Sequence, residues 1–386
     1  MAFEHLQDSL QSLANDCLLR RRTILQDDYD GVIKVNDKHY LNFSSNDYLG
    51  HRQHQDILQS YVEGLSRHGA GAGASPLVTG YSQCHQALEA HLATSLKREA
   101  VILFSSGFAA NQAICQALLN DGDTIISDKL MHASFIDAAI HSPATLLRFK
   151  HNDMHHAQQQ LAKATGHRLC VSEGVFSMDG DQGELDALQT LSAQHNAWLM
   201  LDDAHGFGVL GETGMGSVES ANLNQDQCQI VMGTFGKAVG TGGAFVAGSQ
   251  ILIDYLVNTA KHYIYSTAFS AAQAKATLTS IELIQSGGAR HKLLDNIQYF
   301  KTLAKAHDLP LLASDSAIQP YVIGDPAKAL NASECLKGLG LWVNAIRSPT
   351  VPQGTDRLRI TLSALHQYKD IDALVDGLIM MRAKIG

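Results

Sequence analysis

Short apolar runs alternate with longer helical patterns along the chain from about residue 100 onward. The runs are rich in β-branched and aromatic residues and end in polar ones, which is typical of buried strands in a sheet that helices wrap. The predicted strands are 101–104, 124–128, 169–173, 198–203 and 229–233. A helix of good helix formers is predicted to begin near Phe108, directly after the first strand. We therefore expect an α/β fold with a mainly parallel sheet wrapped by helices.

The two ends of the chain have a different pattern. The first helix is predicted from apolar residues at helical spacing, which are Leu6, Leu10, Leu13 and Cys17. A hairpin is expected around Asn36-Asp37, and the C-terminal part predicts helices near 289–307 and 370–383 with strands around 319–323 and 358–362. We expect an N-terminal helix and hairpin segment (1–50), a large domain (51–285) and a C-terminal α+β domain (286–386). The first and third are expected to form one smaller lobe.

Composition and charge favour chemistry on small molecules. The 386 residues carry a net charge of −9, whereas a nucleic-acid-binding protein normally presents a basic face. The sequence begins without the cationic and apolar regions of a signal peptide, and no stretch is as apolar and long as a membrane span. We therefore expect a cytoplasmic protein that binds neither nucleic acid nor a membrane. The six cysteines lie singly along the chain and predict reduced thiols.

Several of the 19 histidines lie in the run 151–156 (HNDMHH). This run follows a strand-like segment and opens a glutamine-rich one, which is typical of a solvated loop that enters a helix. We therefore predict no metal site in this chain.

Polar side chains lie at or just beyond the ends of the predicted strands. They are Ser105, Asp128, Glu173 with the nearby Ser177, Asp202 and Thr234. Polar strand ends are common in any soluble protein, but ligands of open α/β sheets bind outside the carboxyl ends of the strands. Several such ends at one edge therefore predict a binding site there.

A lysine follows the last of these strands in a glycine-flanked loop, 234–240 (TFGKAVG). Partial desolvation would lower the pKa of the Lys237 amine and make it a nucleophile able to form a Schiff base, although taken alone it could be an ordinary loop lysine. Asp202 ends the preceding strand, and His205 lies three residues later. An aspartate there could pair with the ring nitrogen of a pyridoxal cofactor, and His205 could reach its phenolic oxygen or be structural.

A phosphate site is expected where Gly107 and Phe108 open a helix, because the backbone N–H groups of a helix N-terminus bind anions. Thr234 could add a hydroxyl. The segment 69–76 (GAGAGASP) is glycine-rich, but Pro76 stands where a dinucleotide fingerprint needs its third glycine, and no strand leads into the segment. An NAD site is therefore not expected.

Five motifs together resemble the α-oxoamine synthase family of fold-type I pyridoxal phosphate (PLP) enzymes. They are 43–50 (FSSNDYLG), 173–181 (EGVFSMDGD), 202–205 (DDAH), 234–237 (TFGK) and 346–352 (IRSPTVP). They occur in the family's order over nearly the whole chain. The combination is far more specific than any single motif.

The resemblance implies a role for individual residues. Lys237, His132 and Asp202 match catalytic residues, with His132 stacked on the cofactor ring. The implied cofactor contacts are Gly107, Phe108, His132, Ser177, Asp202, His205, Thr234, Lys237, Ser266 and Thr267, the pair Ser266 and Thr267 reaching the neighbouring subunit's phosphate. The implied substrate contacts are Arg20, Asn46, Arg347 and Thr350.

The resemblance also implies a reaction and an assembly. The reaction is the PLP-dependent decarboxylative condensation of L-alanine with a pimeloyl thioester, on coenzyme A or a carrier protein, to 8-amino-7-oxononanoate in biotin biosynthesis. The assembly is a homodimer with shared active sites. Glycine-using relatives, such as 2-amino-3-ketobutyrate ligase and 5-aminolevulinate synthase, and a catalytically idle PLP-binding subunit are the alternatives.

Three positions leave details open. Arg20 and Arg21 are both candidates for the contact with the acyl substrate, because Arg20, Arg21 and Arg22 are consecutive. Ala74 and Pro76 depart from the family's pattern at a loop that would contact the acyl carrier. Ser348 stands where relatives have a proline beside the arginine at 347.

Overall fold

The computed structural model describes residue 3 and residues 5–385. The strands are β1 (Asp27–Tyr29), β2 (Val32–Val35), β3 (Lys38–Asn42), β4 (Ala100–Phe104), β5 (Thr124–Asp128), β6 (Thr145–Phe149), β7 (Arg168–Glu173), β8 (Trp198–Asp202), β9 (Ile230–Thr234), β10 (Ala244–Gly248), β11 (Ile318–Val322), β12 (Leu341–Trp342), β13 (Asn344–Ile346) and β14 (Arg357–Thr361).

The α-helices follow the same numbering along the chain. They are α1 (His5–Asn15), α2 (Gln55–His68), α3 (Gln83–Ser95), α4 (Gly107–Leu118), α5 (Ala133–Ile140), α6 (Met154–Leu161), α7 (Leu185–Gln194), α8 (Ser217–Ser220), α9 (Gln250–Thr259), α10 (Lys261–Ile264), α11 (Ala271–Ser286), α12 (Gly288–Ala306), α13 (Pro326–Gly338) and α14 (Tyr368–Ile385). Two short helical turns, His51–Gln53 and Pro76–Gly80, add to these.

The chain divides into two compact units. The smaller unit takes the described residues of Met1–Tyr48, Met178–Gly180 and Lys292–Gly386, and the larger takes Leu49–Ser177 and Asp181–His291. None of the helices in the described part of the chain has both the length and the apolar character that a bilayer-crossing segment requires.

A seven-stranded sheet forms the centre of the larger unit, in the order β4-β10-β9-β8-β7-β5-β6. The five strands from β9 to β6 pair in parallel, whereas β10 is antiparallel to both β4 and β9. Every residue of β5 is buried, as parallel strands covered by helices on both faces have to be. The predicted mainly parallel α/β fold is confirmed, but β10 was not predicted.

Serine hydroxyls begin several helices of this unit. The side chain of Ser106 accepts a hydrogen bond from the backbone N–H of Ala109 at 3.1 Å and so starts α4. Ser249 and Ser270 act in the same way at α9 and α11. The helix α2 packs closely on α11 at Gly64, where an added Cβ would lie 2.6 Å from the Cα of Ala272.

The smaller unit has two sheets, β1-β2-β3-β12 and β11-β14-β13. The predicted hairpin joins β2 to β3 through Asn36 and Asp37, whose φ angles of 48° and 60° are those of a type I′ turn. Near the N-terminus, α1 ends at Asn15, so the prediction that Cys17 continues the helix is wrong. Cys17 has a φ of 57°, which breaks the helical path, and the leucines of α1 are exposed.

Candidate active site

Asp202 lies at the carboxyl end of β8 and is 4% exposed. Its Oδ1 accepts the backbone N–H of Ala204 at 3.2 Å, and its Oδ2 accepts an amide hydrogen of Asn111 at 3.1 Å. Each carboxylate oxygen therefore has one donor and keeps acceptor capacity for another. Asn111 is fully buried in α4 and was not predicted. A local signal for it is the polar pair Asn111 and Gln112 between alanines of the helix.

Lys237 lies in the loop after β9, and its Nζ is 2.7 Å from Nε2 of His205. His205 is buried, and Lys237 is half-buried. The lysine and the histidine come from two different predicted motifs, and the structure brings them into direct contact. An amine held in this way is sheltered from bulk water, which is the environment that a nucleophilic lysine needs.

His132 is the N-cap of α5, where its Nδ1 accepts the backbone N–H of Ser134 at 3.2 Å. Partial burial lowers the pKa of the imidazole, the charge of Lys237 also lowers it, and the charge of Asp202 opposes the shift. The charges of Asp202 and Lys237 thus act on the same side chain. His132 is still exposed, so the ring keeps surface for a ligand.

Glu173 ends β7, is 2% exposed and accepts the backbone N–H of His132. Burial raises the pKa of this carboxyl well above its usual value, and the charge of Asp202 raises it further, while Lys237 and the N–H groups of His132 and Ser177 oppose the rise. From the sequence, Glu173 was identified only as a polar residue at the end of a strand, and no role was assigned to it. Its position supports the segment that carries His132.

Asp203 is a second buried carboxyl at the end of β8. Ser217 donates its hydroxyl at 2.5 Å and its backbone N–H at 2.7 Å to the two carboxyl oxygens. Burial nevertheless raises the pKa of Asp203 to about 7. An added Cβ at Gly206 would lie 2.1 Å from Asp203, so this position in the loop that carries His205 requires glycine.

The predicted phosphate contacts lie at the same edge of the sheet. Gly107 and Phe108 form the first turn of α4, where backbone N–H groups have no acceptor within the helix. Thr234 ends β9, and its hydroxyl donates to the carbonyl of Gly243 at 3.0 Å. Since Asn111, one turn further along the same helix, contacts Asp202, the second turn of α4 lies beside the Asp202 carboxylate.

The other predicted cofactor contacts of this unit, Ser177, Ser266 and Thr267, lie in different environments. Ser177 is 6% exposed and lies close enough to Glu173 for its backbone N–H to act on that carboxyl. Ser266 and Thr267 follow α10 and line a small cavity together with Ser105. The expected contact of Ser266 and Thr267 with a neighbouring subunit stays a prediction.

The four predicted substrate contacts belong to the smaller unit. Arg20 donates from Nη2 to the hydroxyl of Thr350 at 3.1 Å, and the backbone N–H of Thr350 donates to the carbonyl of Arg347 at 3.0 Å. Three of the four therefore form one group. Asn46 instead accepts from the guanidinium of Arg359 at 3.2 Å. Arg359 is 7% exposed and was not predicted, although a charged residue inside the predicted strand 358–362 could have indicated it.

The interpretation of 151–156 as a solvated loop is wrong for His151. Its Nδ1 lies 3.1 Å from Asp128 and its Nε2 lies 2.8 Å from Asp181, and its ring packs edge-on against Phe176. Burial alone lowers the pKa of His151, but hydrogen bonds to the two carboxylates outweigh burial and raise it to about 10. The predicted entry into a helix is confirmed by α6, which Asp153 caps.

The residues of the larger unit fit PLP. A buried carboxylate with remaining acceptor capacity suits the ring nitrogen, a sheltered amine suits the aldehyde carbon, and a helix N-terminus suits the phosphate. These three groups lie on β8, on the loop after β9 and on α4. The arrangement can hold a charged aromatic cofactor and move a proton at the amine.

Proteins of similar sequence indicate the same kind of enzyme. The family model of class I and II aminotransferases matches residues 38–378. The 8-amino-7-oxononanoate synthase of Aeromonas hydrophila is 50% identical over 362 residues, which cover 94% of this chain and 90% of the relative. That of Saccharophagus degradans is 47% identical over 343 residues, which cover 88% of this chain and 86% of the relative.

Solved structures extend the likeness to three dimensions. A serine palmitoyltransferase of S. paucimobilis, solved with a PLP–myriocin aldimine, is 26% identical with a TM-score of 0.93 and covers 100% of this chain and 98% of its own. The 8-amino-7-oxononanoate synthase of Francisella tularensis is 30% identical with a TM-score of 0.78 over 89% of this chain and 98% of its own. The predicted fold-type I class is thereby confirmed. This chain belongs to the class I and II aminotransferase family, in its group of 8-amino-7-oxononanoate synthases.

Proposed function

We propose that the protein is a PLP-dependent acyltransferase that condenses L-alanine with a pimeloyl thioester and releases carbon dioxide, free thiol and 8-amino-7-oxononanoate. One observation supports this most strongly, namely that the Lys237 amine is held 2.7 Å from Nε2 of His205, three residues after the buried carboxylate of Asp202. The relatives named 8-amino-7-oxononanoate synthase, at 45% to 50% identity over most of the chain, support the same reaction.

When bound, PLP supplies an electron sink for the electron pair of a bond broken at the substrate Cα. Asp202 keeps a proton on the ring nitrogen, because a buried carboxylate with one donor on each oxygen attracts that N–H. Lys237 holds the cofactor covalently between turnovers. With L-alanine bound, the Nζ of Lys237 would act as the base that removes the substrate Cα proton, a step in which a positioned base contributes about 10² to 10⁴ in rate.

The other side chains of the larger unit orient the ring. Gly107, Phe108 and Thr234 bind the phosphate, and Ser177 and His205 contact the phenolic oxygen. His132 stacks on the ring and donates to the thioester oxygen of the acyl substrate. Its lowered pKa keeps the imidazole neutral near pH 7, so that it acts as a hydrogen-bond donor without adding a positive charge.

The substrate contacts come from the smaller unit. We assign the carboxylate of L-alanine to Arg347 and Asn46, and the buried Arg359 beside Asn46 adds a second cation there. Thr350 and Arg20, joined by a hydrogen bond, bind the acyl chain, whose far carboxylate suits a guanidinium. Residues 51–285 form the cofactor-binding domain in this proposal, and residues 1–50 and 286–386 supply the substrate contacts.

The assembly and location complete the proposal. We assign a homodimer in which Ser266 and Thr267 contact the cofactor phosphate of the neighbouring subunit. The cytoplasm is the proposed location, supported by six cysteines that are all free.

A substrate panel tests the reaction. Protein saturated with PLP is offered L-alanine or glycine together with pimeloyl, acetyl or succinyl thioesters, and thiol release is followed. The highest kcat/KM is expected for L-alanine with the pimeloyl thioester, on coenzyme A or on a carrier protein. A preference for glycine with acetyl or succinyl thioester would assign the protein to a glycine-using reaction instead. Protein that binds PLP but releases no thiol with any pair would be a catalytically idle subunit.

A further inference from the structure

Asn111 connects two residues that the proposed function treats separately. Its Nδ2 lies 3.1 Å from Oδ2 of Asp202 and 3.0 Å from Oγ of Ser134. The two amide hydrogens therefore go to two different acceptors. The reversed amide would set its oxygen against the carboxylate of Asp202, so the charge of Asp202 fixes the orientation. The amide oxygen is buried without a hydrogen-bond partner, a cost that the two donated bonds offset.

Ser134 carries the connection on to His132. The backbone N–H of Ser134 donates to Nδ1 of His132 at 3.2 Å, which makes Nδ1 an acceptor. The hydroxyl oxygen of Ser134 lies 2.8 Å from the same Nδ1 and already accepts from Asn111. The hydroxyl hydrogen is thus left for Nδ1. A neutral His132 must then carry its proton on Nε2.

We propose that Asn111 and Ser134 are positioning residues that join Asp202 to His132 in one hydrogen-bonded relay, which fixes the orientation of the carboxylate and the tautomer of the imidazole. The inference deepens the proposed function and rests on it for the roles of Asp202 and His132. Asn111, Ser134 and Asp202 are all buried, so these three members of the relay are shielded from water, whereas the His132 ring is exposed.

The relay orients two contacts of the cofactor site, the carboxylate for the ring nitrogen and the imidazole, before the cofactor binds. Asn111 holds Oδ2 of Asp202, which prevents the carboxylate from rotating away from the ring nitrogen. Ser134 keeps the proton of His132 on Nε2, the nitrogen that is left to donate to a ligand. A site whose dipoles are already oriented loses little free energy to reorganisation during the reaction.

Five variants, one of them a control, separate the relay from the general stability of α4 and α5. Asn111→Ala and Ser134→Ala each break one link, and the double variant breaks both. Ser134→Thr keeps the hydroxyl. Gln112→Ala is the matched control. Gln112 also donates a partly buried hydrogen bond from α4 to α5, to Asp137 at 2.8 Å, but its acceptor is not part of the relay.

Two measurements on the full-length chain report on the cofactor. The affinity for PLP is measured by titrating cofactor-free protein, and the pH midpoint of the visible absorbance is measured on the loaded protein. Asn111→Ala and Ser134→Ala are each expected to weaken PLP binding roughly 10-fold and to shift the pH midpoint. The double variant should lose no more than the stronger single variant, because the links act as one unit. Ser134→Thr and Gln112→Ala should stay within about twofold of wild type.

Independent losses that multiply in the double variant, or an unshifted pH midpoint in both single variants, would overturn the relay. Thiol release by wild type from L-alanine and the pimeloyl thioester would uphold the proposed function in the same experiment. A wild type that binds no PLP would refute the proposed function instead.

In that case the relay is tested on cofactor-free protein by NMR with ¹³C-labelled histidine, which reports the tautomer of His132. The His132 signal is identified by its absence from the spectrum of His132→Gln. The relay requires the Nε2–H form in wild type and a smaller share of it in Ser134→Ala, where the backbone N–H at 3.2 Å is the donor to Nδ1 that remains. An Nδ1–H form in wild type contradicts it.

Discussion

Nζ of Lys237 lies 2.7 Å from Nε2 of His205. If Lys237 is an ammonium, which only donates hydrogen bonds, Nε2 accepts and a neutral His205 carries its proton on Nδ1. The contact holds the amine at the carboxyl edge of the sheet, where β8 and β9 end and where Asp202 is buried. His205 therefore positions the lysine in addition to its proposed contact with the phenolic oxygen.

Removal of this imidazole should weaken cofactor binding. For His205→Ala, we expect the Kd for PLP to rise about 10- to 100-fold, the range for loss of a hydrogen bond to a charged group. The Kd is measured by titrating cofactor-free protein. His155→Ala is the control, because His155 is exposed on α6 and should leave the Kd unchanged. An equal effect of the two variants would remove His205 from the site.

Kinetics can show which of the consecutive arginines contacts the acyl substrate. Arg20 donates to Thr350, and Thr350 donates to the carbonyl of Arg347. Arg20→Ala should therefore raise KM for the pimeloyl thioester about 10-fold or more, because a guanidinium and carboxylate pair is lost. KM for L-alanine should change little. Arg21→Ala is the control, and a larger rise in KM for that variant would assign the acyl contact to Arg21.

His151 makes the stability of the folded chain depend on pH. Its pKa of about 10 in the folded protein lies above the usual 6.5, since it donates to Asp128 and Asp181. The stabilisation is fully present below pH 6.5 and is lost as the pH rises through about 10. The Tm difference between wild type and His151→Gln should shrink over this range.

Thermal unfolding from pH 6 to about 10 measures this difference, with His155→Gln as an exposed control. A Tm difference that is constant with pH would show that His151 is neutral in the folded protein.

The packing of α2 on α11 predicts a stability effect that arises from steric contact. A methyl group at Gly64 would meet the backbone of Ala272 at 2.6 Å, so the helices must move apart in Gly64→Ala. We expect a loss of about 1–3 kcal/mol in the free energy of unfolding, the usual cost of overpacking. Gly288→Ala has open space around the new methyl group and should not destabilise the protein. Equal stability of both variants in urea would contradict the close contact.

Much of the fold could be predicted because buried parallel strands are visible as continuous apolar runs. The prediction of 124–128 coincides with β5, and 169–173 lies within β7. The strand β10 was missed because its sequence, Ala244–Gly248, follows several glycines and has small residues where a strand pattern needs β-branched ones. For α1, spacing alone could not locate the end of the helix at Asn15.

A site residue could be predicted where it lies in a recognisable sequence motif, but not where only the folded chain brings it to the site. Lys237 and His205 are recognisable in their loops, whereas Asn111 meets Asp202 across 91 residues of sequence. No local pattern signals that contact. Glu173 was noticed as a strand end, but its raised pKa arises from burial and from the charge of Asp202, which only the folded chain brings together.

The most direct test of the account is the identity of the lysine that holds PLP. The PLP-loaded protein is reduced with borohydride and digested, and the masses of its peptides are measured by mass spectrometry. We predict that the peptide containing Lys237, and no other, gains the mass of the reduced cofactor, and that Lys237→Ala protein gains none. Modification at a different lysine, or an unmodified Lys237 peptide from protein saturated with PLP, would contradict the account.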